Sequence, residues 1–168
     1  DHGCDAVNTT FSCLTLLATI QTGPSMYSFA MWGIGCIGFM AATWEEYYTG
    51  ELSLPIINGP TEGILITCCI HFWTAYAGPN WWLETVSFLP AYKRNELFVL
   101  AIMVIGAVTI LSNVGNVIKA VKADKKFSMP VALTRMIPLL LIVAMSGAWV
   151  FYSPSRIFEH HPRLYIWA

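Results

Sequence analysis

Charge is scarce in this chain. Only 11% of its 168 residues are Asp, Glu, Lys or Arg, against roughly 25% in an ordinary soluble domain. That deficit excludes a soluble globular domain, whose surface needs charge to stay hydrated. Neither sign dominates: nine Lys+Arg stand against ten Asp+Glu, for a formal net charge of -1. With no basic field to hold phosphates, nucleic acid is not an expected partner. The five cysteines (Cys4, Cys13, Cys36, Cys68, Cys69) show no C-x-x-C spacing and lie in or beside apolar runs, which argues against a zinc site or a disulfide framework. No Met or charged leader precedes the first apolar run, and Leu164 to Ala168 end inside another, so the expectation is an internal fragment of a longer chain. The sequon Asn8-Thr9-Thr10 falls within an apolar helical stretch and is expected to stay unglycosylated.

What the chain does hold is apolar surface: 56% of residues are hydrophobic and 14% aromatic. A bilayer core of about 30 Å needs about 20 mostly apolar helical residues, because backbone groups in lipid must be satisfied within the segment. Five stretches qualify: about Asp5 to Ile20, Met26 to Trp44, Thr61 to Ala77, Leu97 to Ile118, and Val131 to Tyr152. A sixth begins near Leu164. The expected fold is all-α, a polytopic membrane protein with residues 1–168 forming part of a single domain. Pro60 at the first position and Glu62 at the third open the third helix in a common way. Trp44, Tyr47, Tyr48, Trp81, Trp82, Trp149 and Tyr152 stand near segment ends, as interfacial anchors do. Gly35, Gly38 and Ala42 share a helix face and predict close approach of a neighbour; Pro138 predicts a kink, with Arg135 one turn earlier reaching for the interface. Alternation puts the start of the first helix, the 45–59 loop and the 119–128 loop on one side. The last of these holds Lys119, Lys122, Lys125 and Lys126, which favours that side as cytosolic.

Ionisable groups at membrane depth are costly and point to function. By the same alternation, Asp1, Asp5, Glu45, Glu46 and Glu62 all reach the lysine-rich side. For Glu45 and Glu46 the plain expectation is a solvated loop; for Glu62, capping of a helix start is an equal alternative to substrate contact. Asp1 and Asp5 differ. Four residues apart, they share one face of a helix, and two like charges so close call for a cation. Oxygen-only ligands suit Mg²⁺ or Mn²⁺, which take one or two carboxylates plus substrate phosphates.

Asp1-His2-Gly3-Cys4-Asp5 resembles the second half of the signature D-G-x2-A-R-x8-G-x3-D-x3-D of the CDP-alcohol phosphotransferases, in the form common among eukaryotic choline and ethanolamine phosphotransferases. The stretch from Trp44 to Gly63, with Asn58-Gly59-Pro60-Thr61-Glu62-Gly63, is similar to the plant-type members, as is Phe158-Glu159-His160-His161-Pro162-Arg163-Leu164-Tyr165. The first half of the signature has no counterpart here, so half a site is expected, and residues 1–168 alone are expected to lack transferase activity. The resemblance implies transfer of phosphocholine or phosphoethanolamine from CDP-choline or CDP-ethanolamine to diacylglycerol, releasing CMP, with Asp1 as metal ligand and Asp5 as general base that also touches the metal. It further implies a homodimer in an endoplasmic reticulum or Golgi membrane, with the site facing the cytosol.

Around that pair, His2 is a candidate to orient a phosphate. Trp44 and Tyr47 are candidates for an aromatic cage around a quaternary ammonium, set against an ordinary interfacial role. His71, about nine residues or 13 Å deeper than Glu62, is expected to make an interhelical hydrogen bond, and Asn113 and Asn116 to serve packing or an acceptor pocket. The rival readings are a transporter or channel, which would hold its acids near the midplane, and a non-catalytic membrane scaffold.

Overall fold

A computed structural model describes residues 2–51, 60–124 and 127–167. The chain is largely helical: α1 (His2–Thr19), α2 (Met26–Thr49), α3 (Pro60–Ala77), α4 (Arg94–Ala123), α5 (Met129–Thr134), α6 (Ile137–Tyr152), α7 (Ile157–His160) and α8 (Pro162–Trp167). Three segments are long and apolar enough to cross a membrane: α2, α4, and α5 with α6 taken together. The other two expected spans, α1 and α3, are 18 residues each but rich in hydroxyls. Those hydroxyls bond back along their own helices, Thr9 to the Asp5 carbonyl, Thr19 to that of Thr15, Thr67 to that of Gly63 and Thr74 to that of Ile70. These hydroxyls are therefore satisfied within their own helices.

An all-α expectation misses one element. Between α3 and α4, a 3₁₀ turn (Pro79–Leu83) leads into a small antiparallel hairpin of β1 (Thr85–Val86) and β2 (Leu89–Lys93). Arg94 closes its base, pairing with Glu84 at 2.7 Å and lying 4.3 Å over the Trp81 ring. An interruption falls where Pro138 predicts a kink. The α-helical ladder is interrupted at Arg135–Met136, both still in the right-handed helical region, and Pro138 in the first turn of α6 has no N–H to give the Thr134 carbonyl.

The helix order fixes which ends lie together. α2 and α4 run parallel, with Ile34 against Gly106 toward the middle of both helices and Trp44 and Tyr48 against Val117 and Val121 near their C-terminal ends. α1 runs antiparallel to α2, and Gly35 faces Cys13. α1 and α3 run parallel, joined by a 2.8 Å hydrogen bond between Thr19 Oγ1 and His71 Nδ1, the interhelical role expected of that histidine. At the far end, Asn95 of α4 donates to the Ile20 and Gln21 carbonyls beyond α1. The starts of α1 and α3 and the ends of α2 and α4 thus share one rim, as alternation predicted.

Close approach is carried by other residues than the Gly35–Gly38–Ala42 face as a whole. Gly35 meets α1, but a Cβ at Gly38 would meet nothing within 4 Å. The tightest contact is at Gly106, where a Cβ would lie 2.7 Å from Ile34 Cγ1. Gly106→Leu is therefore expected to force α2 and α4 apart and destabilise the protein by about 1–3 kcal/mol, read as a lowered melting temperature in detergent; an unchanged value would show that the pair yields freely there.

Candidate active site

Asp5 stands in the first turns of α1, at the rim. Its side chain is exposed and has no hydrogen-bond or ion-pair partner among the described residues, while its backbone carbonyl accepts from Thr9 Oγ1 at 2.8 Å. At 3.6 residues per turn, Asp5, Thr9, Ser12, Leu16 and Thr19 lie on one flank of α1, the flank that reaches α3 through Thr19 and His71. Glu62, exposed in the first turn of α3, begins on the same rim. Asp1 lies outside the described residues, as do Lys125, Lys126 and residues 52–59 of the Trp44–Gly63 block; His2 is placed only as the first residue of α1.

Glu45 is the main correction. It is no loop residue, because α2 continues to Thr49 and ends on Gly50 in the left-handed region at φ 75, a conformation glycine adopts without strain. Glu45 is only 1% exposed and turns into α4. Asn116 Nδ2 donates to its Oε1 at 2.8 Å. Asn113, in the orientation its neighbours dictate, donates to Oε2 at 2.9 Å and to the Thr109 carbonyl at 3.0 Å, and accepts from the Ala42 N–H at 3.2 Å. Asn113 and Asn116 are three residues apart on one helix face; with an acid near the end of α2, which finishes on the same rim, that polar spacing was the signal for this network.

The two aromatic candidates sit beside it in different settings. Trp44 is 5% exposed and its indole N–H donates to the Ala132 carbonyl at 3.1 Å. Tyr47 is 55% exposed, and the guanidinium of Arg135 lies 4.2 Å above its ring. One ring is packed into the core and the other already carries a cation.

An apolar cavity of about 750 Å³ opens between α1, α2, α6 and α8, lined on α1 by Thr10, Leu14, Leu17 and Ala18. Those residues occupy the flank of α1 away from Asp5, so the cavity and the carboxylate lie on different sides of the helix. Its chemistry suits hydrocarbon rather than nucleotide phosphates.

The rim offers hard oxygen donors, but no three His, Cys, Asp or Glu side chains converge among the described residues. Asp5 fits a site in which the protein supplies one or two carboxylates and substrate phosphates complete the coordination, as Mg²⁺ accepts. All five cysteines are free.

No protein-family model matches the chain. Individual proteins do. Choline/ethanolaminephosphotransferase 1 of Arabidopsis thaliana is 34% identical over 177 residues, covering 99% of this chain and 45% of the relative. Choline/ethanolaminephosphotransferase 2 of the same plant is 32% identical with the same coverage, and human ethanolaminephosphotransferase 1 is 28% identical over 98% of this chain and 42% of its own length. The chain spans less than half the length of the curated relatives it matches.

Proposed function

Because the chain is a relative of the choline/ethanolaminephosphotransferases along almost its whole length, we propose that the complete protein transfers phosphocholine or phosphoethanolamine from a CDP-alcohol to diacylglycerol. The acceptor hydroxyl oxygen bonds to the phosphorus that carries the amino alcohol, the bond from that phosphorus to CMP breaks, and the hydroxyl proton passes to Asp5. The observation that carries the reading is that carboxylate, unpartnered among the described residues, at the head of α1, within a pentapeptide that matches half of the family signature. Asp1 and Asp5 would hold Mg²⁺ or Mn²⁺. When bound, such an ion neutralises phosphate charge and stabilises the departing CMP. Asp5 itself accepts a proton at the depth where a lipid hydroxyl meets a water-borne nucleotide.

In this reading α1 and α3 cross the bilayer with the three more apolar segments, giving five spans and a sixth begun at α8. The rim of Asp5 faces the cytosol, since Lys119 and Lys122 lie in the last turns of α4 at that same end. The membrane is that of the endoplasmic reticulum or Golgi, and the protein is a homodimer, as the resemblance implies. Acids at helix ends rather than at mid-span favour an enzyme over a transporter. His2 and Glu62 are the candidate contacts to the donor.

The test supplies purified complete protein with diacylglycerol vesicles, Mg²⁺ and each CDP-alcohol in turn, and measures CMP and new phospholipid. Release of CMP coupled to phospholipid is expected, and none from residues 1–168 alone; a complete protein inert toward both donors would refute the assignment. With Arg135 on its ring, Tyr47→Leu is expected to alter use of CDP-choline and CDP-ethanolamine alike, within about twofold. A loss confined to the choline donor would instead place the ammonium on Tyr47.

A further inference from the structure

We propose that Glu45 is a positioning residue: a buried carboxylate that locks α2 to α4 at the rim and thereby sets where α1 presents Asp5. The inference rests on the transferase reading above. At 1% exposure Glu45 touches no solvent, which rules out direct contact with the donor. No Lys, Arg or His pairs with it among the described residues; its partners are the Asn116 and Asn113 amides at 2.8 and 2.9 Å, one to each oxygen.

A carboxylate inside a membrane helix is expensive, and an apolar side chain of similar volume would pack there without that cost. What the apolar side chain could not supply is direction. Ile34 on Gly106, and Trp44 and Tyr48 on Val117 and Val121, make a smooth seam that tolerates sliding or rotation of one helix on the other. Helices in lipid have no hydrophobic force between them to resist this. Three hydrogen bonds crossing from α2 to Asn113 and Asn116 admit one register only, because any slip leaves buried polar atoms unpaired. α1 follows α2, since Cys13 Sγ lies 3.1 Å from where a Cβ on Gly35 would stand. Fixing α2 against α4 therefore fixes the height of the first turns of α1, where Asp5 sits.

The experiment uses the complete protein in lipid nanodiscs with four forms: wild type, Glu45→Gln, Asn113→Asp, and the double exchange. Glu45→Gln keeps the volume but turns an amide donor toward an amide donor. Asn113→Asp sets two carboxylates against each other. The double exchange restores one carboxylate, one amide and a donor for each acceptor between the two positions. Each single variant is expected to lower kcat about tenfold with the donor KM within twofold, and the double to recover most of the loss. Wild-type kcat in Glu45→Gln would overturn the proposal. So would a fall in melting temperature with unchanged turnover per folded molecule, or a double variant no better than the singles. If wild type itself releases no CMP, the transferase reading fails separately. The lock is then judged by melting alone: a fall in each single variant and recovery in the double sustain it, and equal melting of all four refutes it.

Discussion

Asp5→Asn in the complete protein is expected to lower turnover by about 10²–10⁴-fold, the usual weight of a positioned general base, while membrane insertion and melting temperature stay as in wild type. The second half of that expectation follows from the setting of Asp5. Its side chain is exposed and unpartnered among the described residues, and the Thr9 bond it supports runs to the backbone carbonyl, which Asn retains. The exchange thus removes basicity and charge from the rim and nothing from the fold. Asp5→Glu keeps the charge but moves it by one methylene, and is expected to retain part of the activity. Initial rates of CMP release at saturating donor, with melting in the same preparation, separate the two effects. Full turnover in Asp5→Asn would move the base elsewhere, and Glu62, exposed at the start of α3 on the same rim, would be next to test.

The helices and their order were legible in the sequence because lipid leaves the chain few options: long apolar runs must be helical, and Gly78 with Pro79 ends α3 as punctuation predicts. The rim was legible for the same reason, since alternation places helix ends without knowledge of packing. What stayed hidden depended on partners distant in sequence. Glu45 follows the last apolar turn of α2 and reads as the start of a loop; only Asn113 and Asn116, on another helix, allow α2 to continue and the acid to be buried. Small residues on α2 suggested a packing face, yet the tightest approach came from Gly106 on α4, because the crossing, and not the count of small residues, decides where backbones meet. The hairpin of β1 and β2 escaped notice because the residues that close it, Glu84 and Arg94, flank a segment too short for a clear alternating pattern.

Trp44 gives the second large effect, one of stability. The break between α5 and α6 frees carbonyls in the last turn of α5. The Met136 N–H, which would close onto Ala132 in a continuous helix, bonds instead to the Leu133 carbonyl. Ala132 is fully buried, and the indole N–H of Trp44 takes its carbonyl at 3.1 Å. Trp44→Phe keeps most of the ring volume and removes that donor, so it is expected to cost about 1–3 kcal/mol, the penalty of an unsatisfied buried acceptor. Trp44→Ala adds the loss of the ring from its packing with Tyr48 and Val117, for a total of about 3–5 kcal/mol. Melting of the complete protein in detergent should rank wild type above Trp44→Phe and Trp44→Phe above Trp44→Ala. Equal melting of wild type and Trp44→Phe would mean that another donor satisfies Ala132, and that the break stands without the indole. Because Trp44 and Glu45 are neighbours that tie α2 to α5 and to α4 respectively, Trp44→Phe and Glu45→Gln are close enough to couple, and their combined loss should depart from the sum of the two.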